Sequence, residues 1–457
     1  MSAKRLEPFK QDIYRCIHCK ACKFSYSGSP EKSGPGEYKG VLYEGMLNSC
    51  PSGIEFGWEG YWNSGRMWIA RGLLDGTLKP SEAVRDVLMP CITCGNCSTQ
   101  CENWIDTVGI IEAMRATLVD AGIPLLDRHA LIKQFATDLN NPYGRDKDKR
   151  TDWAKSDPDL KSQINKQADE AYFIGCTAAY NQTNIASATT RILKSLGINF
   201  AIREDEVCCG SPFFRIGEVD FAKGLMKKNL EVFSKYKRVI FSCAGCYRTL
   251  TLDYKKHTGK PVPFETIHAM EIVADAIKSG KIKIKAHPDL KGKTFTYHDP
   301  CHTGRHMFIE KKQELMHGSK NMFLDSRKVK DIHKLFDIPR VILNAIAKAN
   351  DAKFVELYRN MEESFCCGAG GGVRAQYPDF SLKTSSLRLD EAEAVGASIV
   401  TTECPFCWRN LYDANEKYQH PLKVYGILEM LDKFNLIEIQ ANPVPPPEYA
   451  EKPKSKK

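Results

Sequence analysis

The chain has 457 residues, 65 basic and 56 acidic side chains, a formal charge of +9 and 42% hydrophobic residues. That length exceeds one compact core, so several domains are expected, and the basic excess forms no stripe interleaved with aromatics, which excludes nucleic acid as a partner. No apolar run reaches the roughly 18 residues that span a bilayer, and the N-terminus lacks the apolar core of a signal peptide. A cytoplasmic setting is therefore expected, where reduced thiols make the eighteen cysteines candidates for metal binding or redox work rather than disulfides.

Residues 1–130 hold eight of the cysteines and read as helical, with apolar residues three and four apart over 64–74, 80–88 and 107–121 and few strand-like runs. Cys91-x2-Cys94-x2-Cys97-x3-Cys101 has the spacing of a bacterial ferredoxin, in which three thiolates grip one [4Fe–4S] cube and the fourth reaches a second cube. Cys16-x2-Cys19-x2-Cys22 repeats the triple, but the next cysteine is Cys50, beyond a Gly- and Ser-rich insertion and followed by Pro51. Crossing the fourth ligands puts Cys16, Cys19, Cys22 and Cys101 on one cubane cluster and Cys91, Cys94, Cys97 and Cys50 on the other, with Cys50 the ligand that departs from the pattern. Structural zinc is the rival, and it fits less well because zinc ribbons pair their cysteines. Two cubes make a conduit for single electrons.

The stretch 131–170 is polar, with the run Tyr143-Gly144-Arg145-Asp146-Lys147-Asp148-Lys149-Arg150, and reads as an exposed linker carrying a helix or two. Two similar units follow, over 171–290 and 291–440. The first presents Cys176, then Cys208-Cys209-Gly210, then Cys243-x2-Cys246; the second presents Cys301, then Cys366-Cys367-Gly368, then Cys404-x2-Cys407. Short β-rich runs deliver these cysteines into turns, and helical stretches such as 187–196 and 387–395 lie between them, which predicts α/β modules with ligands at strand ends. In the first unit 31 and 33 residues separate the three groups; in the second the gaps are 64 and 36, so 305–340 reads as an insertion that shapes a substrate entrance or a partner surface. Each unit's five cysteines exceed the four that a cubane cluster takes. The Pro-rich tail 441–457 is expected to be disordered.

The doubled five-cysteine pattern resembles the CCG-domain iron–sulfur oxidoreductases, and two copies behind a two-cluster ferredoxin-like domain resemble the catalytic subunit of heterodisulfide reductase in its fused form, over roughly residues 10–430. The resemblance implies a multidomain protein: a mainly α-helical ferredoxin-like domain with two [4Fe–4S] clusters over 1–130, the linker, and a duplicated α/β CCG module. It implies that Cys176, Cys208, Cys209, Cys243 and Cys246 hold one noncubane [4Fe–4S] cluster, that Cys301, Cys366, Cys367, Cys404 and Cys407 hold another, and that the two face each other across the substrate site. Disulfide cleavage takes two electrons and clusters deliver them singly, so a pair of neighbouring clusters matches the chemistry.

The expected activity is reductive cleavage of a disulfide of the coenzyme M–coenzyme B type. The chain has no flavin or nucleotide fingerprint, so a partner must donate the electrons; the resemblance implies a membrane cytochrome b or a flavoprotein as that partner, with the chain peripheral to the membrane through it. Two rivals share the architecture: a reductase of a protein-bound disulfide or trisulfide, and an electron-relay subunit of a quinone-linked glycerol-3-phosphate or lactate dehydrogenase. Complete five-cysteine sets in both units argue against relay alone. Lesser candidates are Arg215, Arg248, Arg374 and Arg409 as anion-binding groups or ion-pair partners, His298, His302 and His306 as proton donors or hydrogen-bond donors to cluster sulfur, and Tyr247 and Trp408 as shields against water. Gly368-Ala369-Gly370-Gly371-Gly372 leaves room for a ligand or a cluster at the backbone.

Overall fold

The computed structural model describes residues 3–26, 46–317 and 326–449. In the N-terminal part the helices Lys10–Arg15, Asn63–Asp75, Glu82–Leu88 and Thr107–Asp120 pack around Leu6, Ile13, Met67, Leu88, Ile110 and Met114. Side chains start two of them: Ser81 accepts from the Val84 N–H, and Asp106 from the Gly109 N–H at 2.9 Å. The short antiparallel strands β1 (Phe24–Tyr26) and β2 (Met46–Asn48) flank the insertion before Cys50, of which 27–45 lie outside the described residues.

Each cysteine-rich unit is a four-stranded parallel sheet covered by helices. The first contains β3 (Glu170–Phe173), β4 (Phe200–Ile202), β5 (Arg238–Phe241) and β6 (Glu265–His268), in the order β4-β3-β5-β6. After β7 (Ile282–Ile284), the second contains β8 (Thr294–Tyr297), β9 (Lys353–Phe354), β10 (Ile399–Thr402) and β11 (Lys423–Gly426), in the order β11-β10-β8-β9. Numbered within its own unit, the first sheet runs second, first, third, fourth, and the second sheet read from its β9 edge does the same, so the internal repeat is a repeat of topology. β3, β5 and β10 are buried along most of their length, as parallel strands covered on both faces must be.

The units are related by an approximate twofold. Helix Thr183–Ser195 of the first packs on Ile427–Lys433 of the second, and Ala269–Lys278 of the first on Asp337–Ala349 of the second. Each contact pairs a helix following a unit's first strand with one following the other unit's last, the reciprocal arrangement of a self-complementary interface. One apolar core, with Ile192, Val273, Ile342 and Leu428, runs through both. The strand β12 (Ile437–Ile439) pairs antiparallel with β7 and closes the chain back onto the junction.

Two expectations change. The stretch 131–170, exposed over much of its length and carrying short helices as expected, is more than a linker: helix Asp127–Leu139, which leads into it, packs against the second unit through His129, whose Nε2 lies 3.0 Å from the Gly372 carbonyl, and Arg150 and Thr151 are buried against the first. Of the Pro-rich tail, 441–449 are described; the Val444 backbone lies against Gly280, and Lys348 Nζ meets Glu448 at 3.2 Å.

Candidate functional site

The ten cysteines of the two units line one cavity of about 330 Å³. They reach it from the C-terminal ends of the strands, where a parallel α/β sheet opens its crevice. Cys176 follows β3 and starts the helix Cys176–Tyr180, while Cys243 follows β5 and Cys246 sits in the helix Ala244–Arg248. Cys301 follows β8, Cys404 follows β10, and Cys407 sits in the helix Pro405–Tyr418. Both adjacent pairs turn at a glycine of positive φ, Gly210 at 90° and Gly368 at 86°. Every one of these thiols is free of disulfide bonding. The units meet sulfur to sulfur, with the Cys243 side chain in contact with that of Cys404.

The N-terminal thiols form two further groups. Cys16, Cys19, Cys22 and Cys101 line one small cavity; Cys50, Cys91, Cys94 and Cys97 line a second, whose wall Cys22 also touches. Cys50 caps the helix Pro51–Phe56, its sulfur 3.7 Å from the Tyr61 carbonyl, and the buried Arg66 donates to the same carbonyl at 2.6 Å. Cys97 lies 2.9 Å from Thr107 Oγ1. Converging thiols with no disulfide partner fit iron–sulfur clusters by their donor chemistry.

The second N-terminal group is built into the repeat. The Cys94 side chain touches that of Cys366, and the buried Arg305 guanidinium donates to the carbonyls of Cys94 (3.0 Å), Glu362 (2.6 Å) and Ser364. Arg115, also buried, donates to the carbonyls of Leu88, Met89 and Cys91 on one side and of Arg215 and Gly371 on the other, all within 3.0 Å. Burial lowers its pKa to about 10, which leaves it charged at neutral pH. The Gly-rich loop does admit a close approach, and what approaches is this backbone: a Cβ on Gly371 would lie 2.4 Å from the Cys91 carbonyl oxygen.

The lesser candidates divide. Arg215 also lines the cavity and leaves Nε buried without a partner while it pairs with Glu112 at 2.7 Å and with Asp253, and Arg248 pairs with Asp253 at 2.6 Å; burial pushes Glu112 up to about 7. Arg409 is spent on Asp413 at 2.8 Å. Arg374 lines the cavity, with one guanidinium nitrogen on Asp413 and Nη1 buried without a partner. His298 accepts from Arg388 Nε at Nδ1, which leaves its other nitrogen to face Cys367 and Cys407, all within 4.8 Å of one another. His302 and His306 stand beside Cys301 at the same range; burial lowers His302 to about 4 and His306 further, so both are neutral at pH 7. Tyr247 packs on Phe241 and His268, and Trp408 stacks on Tyr412. The inserted segment contributes Met307, Leu335 and Phe336 to a separate cavity of about 270 Å³; its residues 318–325 lie outside the described ones.

Sequence reasoning missed Tyr143, Arg150 and Glu206. Tyr143 lines the cysteine cavity and shares a 2.8 Å hydrogen bond with Thr177. Arg150 donates to Cys176 Sγ at 3.3 Å and to Glu206 at 2.6 Å, and Glu206 accepts the Ile174 and Gly175 N–H groups, both at 2.9 Å.

Known families and proteins match this chain in sequence. A family described as a 4Fe-4S dicluster domain matches residues 11–105, and one described as a cysteine-rich domain matches twice, at 170–251 and 339–412. The D subunit of the dihydromethanophenazine:CoB–CoM heterodisulfide reductase of Methanosarcina barkeri is 38% identical over 431 residues, 92% of this chain and 93% of that protein. The chain belongs to the heterodisulfide reductase D-subunit family. It is thus an iron–sulfur oxidoreductase component of the disulfide reductase type. Beyond that family the likeness thins: the B subunit of the fumarate reductase (CoM/CoB) of Methanothermobacter marburgensis is 29% identical over 360 residues, 78% of this chain and 64% of that protein. The EtfAB:quinone oxidoreductase of Syntrophomonas wolfei is 25% identical over 369 residues, 76% and 46% of the two. Among the described residues of this heterodisulfide reductase relative, no helix is long and apolar enough to cross a membrane.

Proposed function

We propose that this chain reductively cleaves a disulfide of the coenzyme M–coenzyme B type in the cavity between its two cysteine-rich units. The balance is RS–SR′ + 2e⁻ + 2H⁺ → RSH + R′SH, with the electrons supplied by a partner protein, a membrane cytochrome b or a flavoprotein. The observation that carries the reading is the convergence of ten thiols from both units on one cavity, with Cys243 against Cys404. Cys176, Cys208, Cys209, Cys243 and Cys246 would hold one noncubane cluster and Cys301, Cys366, Cys367, Cys404 and Cys407 the other; the two N-terminal groups would hold cubanes. When bound, such clusters take electrons singly and together supply the pair that the S–S bond requires.

The chain's own residues supply order and binding. Cys19 is exposed, and Ile17 and Trp68, the latter stacked on His18, expose apolar surface beside it, a face on which an electron donor can seat. From there the first N-terminal group adjoins the second at Cys22, the second touches the repeat at Cys94 and Cys366, and the units touch at Cys243 and Cys404. The cavity wall is mostly apolar, with Ile132, Pro212, Ala369 and Phe406, and Arg374 Nη1 offers an unused donor to an anionic group on the substrate. An extended relay toward quinone would need none of this enclosure. The test is iron and sulfide content with EPR of the anaerobically purified protein, before and after coenzyme M–coenzyme B heterodisulfide. About sixteen irons, four per cluster, and a disulfide-dependent paramagnetic signal are expected. About eight irons would sink the paired-cluster reading.

A further inference from the structure

The two units bring equal sets of five cysteines to the cavity but surround them differently. Arg150 arrives from outside either unit, on the stretch after helix Asp127–Leu139. Its side chain is buried, spans the Tyr180 ring at 5.3 Å, and divides its donors between Cys176 Sγ (3.3 Å) and Glu206 (2.6 Å). Glu206 in turn holds the backbone N–H groups of Ile174 and Gly175, so the turn that presents Cys176 is fixed from both sides. The counterpart sulfur, on Cys301, is half-buried with two imidazoles within 4.8 Å, and among the described residues no arginine hydrogen-bonds it.

We propose that Arg150 is a positioning residue that raises the reduction potential of the group held by the first unit, making that unit the electron sink of the pair. The inference rests on the cluster-binding reading above. A fixed cation donating to a ligand sulfur stabilises the more negative, reduced state, and in a dry interior that effect is weakly screened. Electrons arrive beside the second unit, at Cys94 and Cys366, so a higher potential in the first unit draws them across the Cys243–Cys404 contact and through the cavity where substrate sits.

The experiment is an EPR-monitored redox titration of the intact, fully loaded protein with Arg150→Gln and Arg150→Lys. Arg150→Gln should shift one cavity-cluster signal to more negative potential by about tenfold in its reduction equilibrium, about 59 mV for one electron, and leave the others in place. Arg150→Lys, which keeps the charge, should recover most of the shift. Should Arg150→Gln alone fail to fold because Glu206 is left buried and unpaired, the double variant Arg150→Gln/Glu206→Gln replaces the ion pair by a neutral one and should shift the same signal in the same direction. Sixteen irons with unmoved potentials overturns the role of Arg150 and leaves the cluster reading standing; so does loss of iron from these variants with the remaining potentials unmoved. About eight irons in the unaltered protein overturns both.

Discussion

The two cysteine-rich units have the same strand order and the same five thiols, yet different neighbours. In the first, all five thiols are buried and a guanidinium sits on Cys176; in the second, Cys301 is half-buried beside neutral histidines, and Cys366 touches the N-terminal Cys94. Duplication accounts for what is shared. The asymmetry comes from segments that the repeat does not share: the stretch 140–150 packs on the first unit's ligands through Asn140, Tyr143 and Arg150, whereas the Cys91–Cys97 loop and the inserted helix Arg305–His317 pack beside the second's. Under the proposal above, this asymmetry would let one unit receive electrons and the other keep them, a division that two identical copies would not have.

The largest test of that division is Cys404→Ser against Cys301→Ser. Cys404 is buried at the junction and touches Cys243 of the other unit, so its loss should remove one cluster's iron and abolish disulfide cleavage, while the N-terminal clusters still take up electrons. Cys301 is half-buried, with His302 and His306 at hand as substitute donors, so its serine variant should keep more iron and more activity than Cys404→Ser does. Equal effects of the two substitutions would break the asymmetry. Next comes Arg305→Met, which removes the clamp between the Cys94 loop and the second unit. Buried hydrogen bonds from a charged donor are worth about 1.5–3 kcal/mol each, so the loss of three should lower stability in urea unfolding by about 4.5 kcal/mol or more. Partner-driven turnover should fall more than turnover with a small chemical reductant that reaches the cavity directly.

Much of this was legible in the sequence because cysteine spacing is local chemistry. The Cys-x2-Cys runs and the adjacent Cys-Cys-Gly pairs are only a few residues long, the helices near 64–74 and 107–121 follow from periodicity, and the strands before Cys176 and Cys404 from short β-rich runs. What was not legible is long-range. Arg145 to Lys149 are exposed and Arg150 is buried, and nothing in that run of charges separates the last from the rest, since its partners lie 26 and 56 positions away. The Gly-rich loop announced a close approach without saying of what; only the packed chain identifies it as the Cys91–Ile92 backbone.

Smaller effects compare the two turn glycines. Both have positive φ, which costs an alanine about 1–2 kcal/mol. A Cβ on Gly210 would meet the Ala222 carbonyl oxygen at 3.3 Å, a contact that yields with a slight shift, whereas on Gly368 it would lie 2.4 Å from the Ser381 carbonyl oxygen and 2.9 Å from Thr384 Cβ. Overpacking of that kind adds about 1–3 kcal/mol, so thermal unfolding should rank Gly368→Ala clearly below Gly210→Ala.

The smallest expected effect lies farthest from the cavity. Trp68 is exposed and stacks on His18 at 3.9 Å, beside Cys16 and Cys19. Trp68→Ala should change stability by no more than about 0.5 kcal/mol, since an exposed ring leaves no buried hole. If the N-terminal face receives the donor, the same variant should still slow reduction by the partner several-fold in stopped-flow mixing and leave chemically driven cleavage untouched. Unchanged partner kinetics would move the point of electron entry off this face, and with it the argument that the second unit is the first to be reduced.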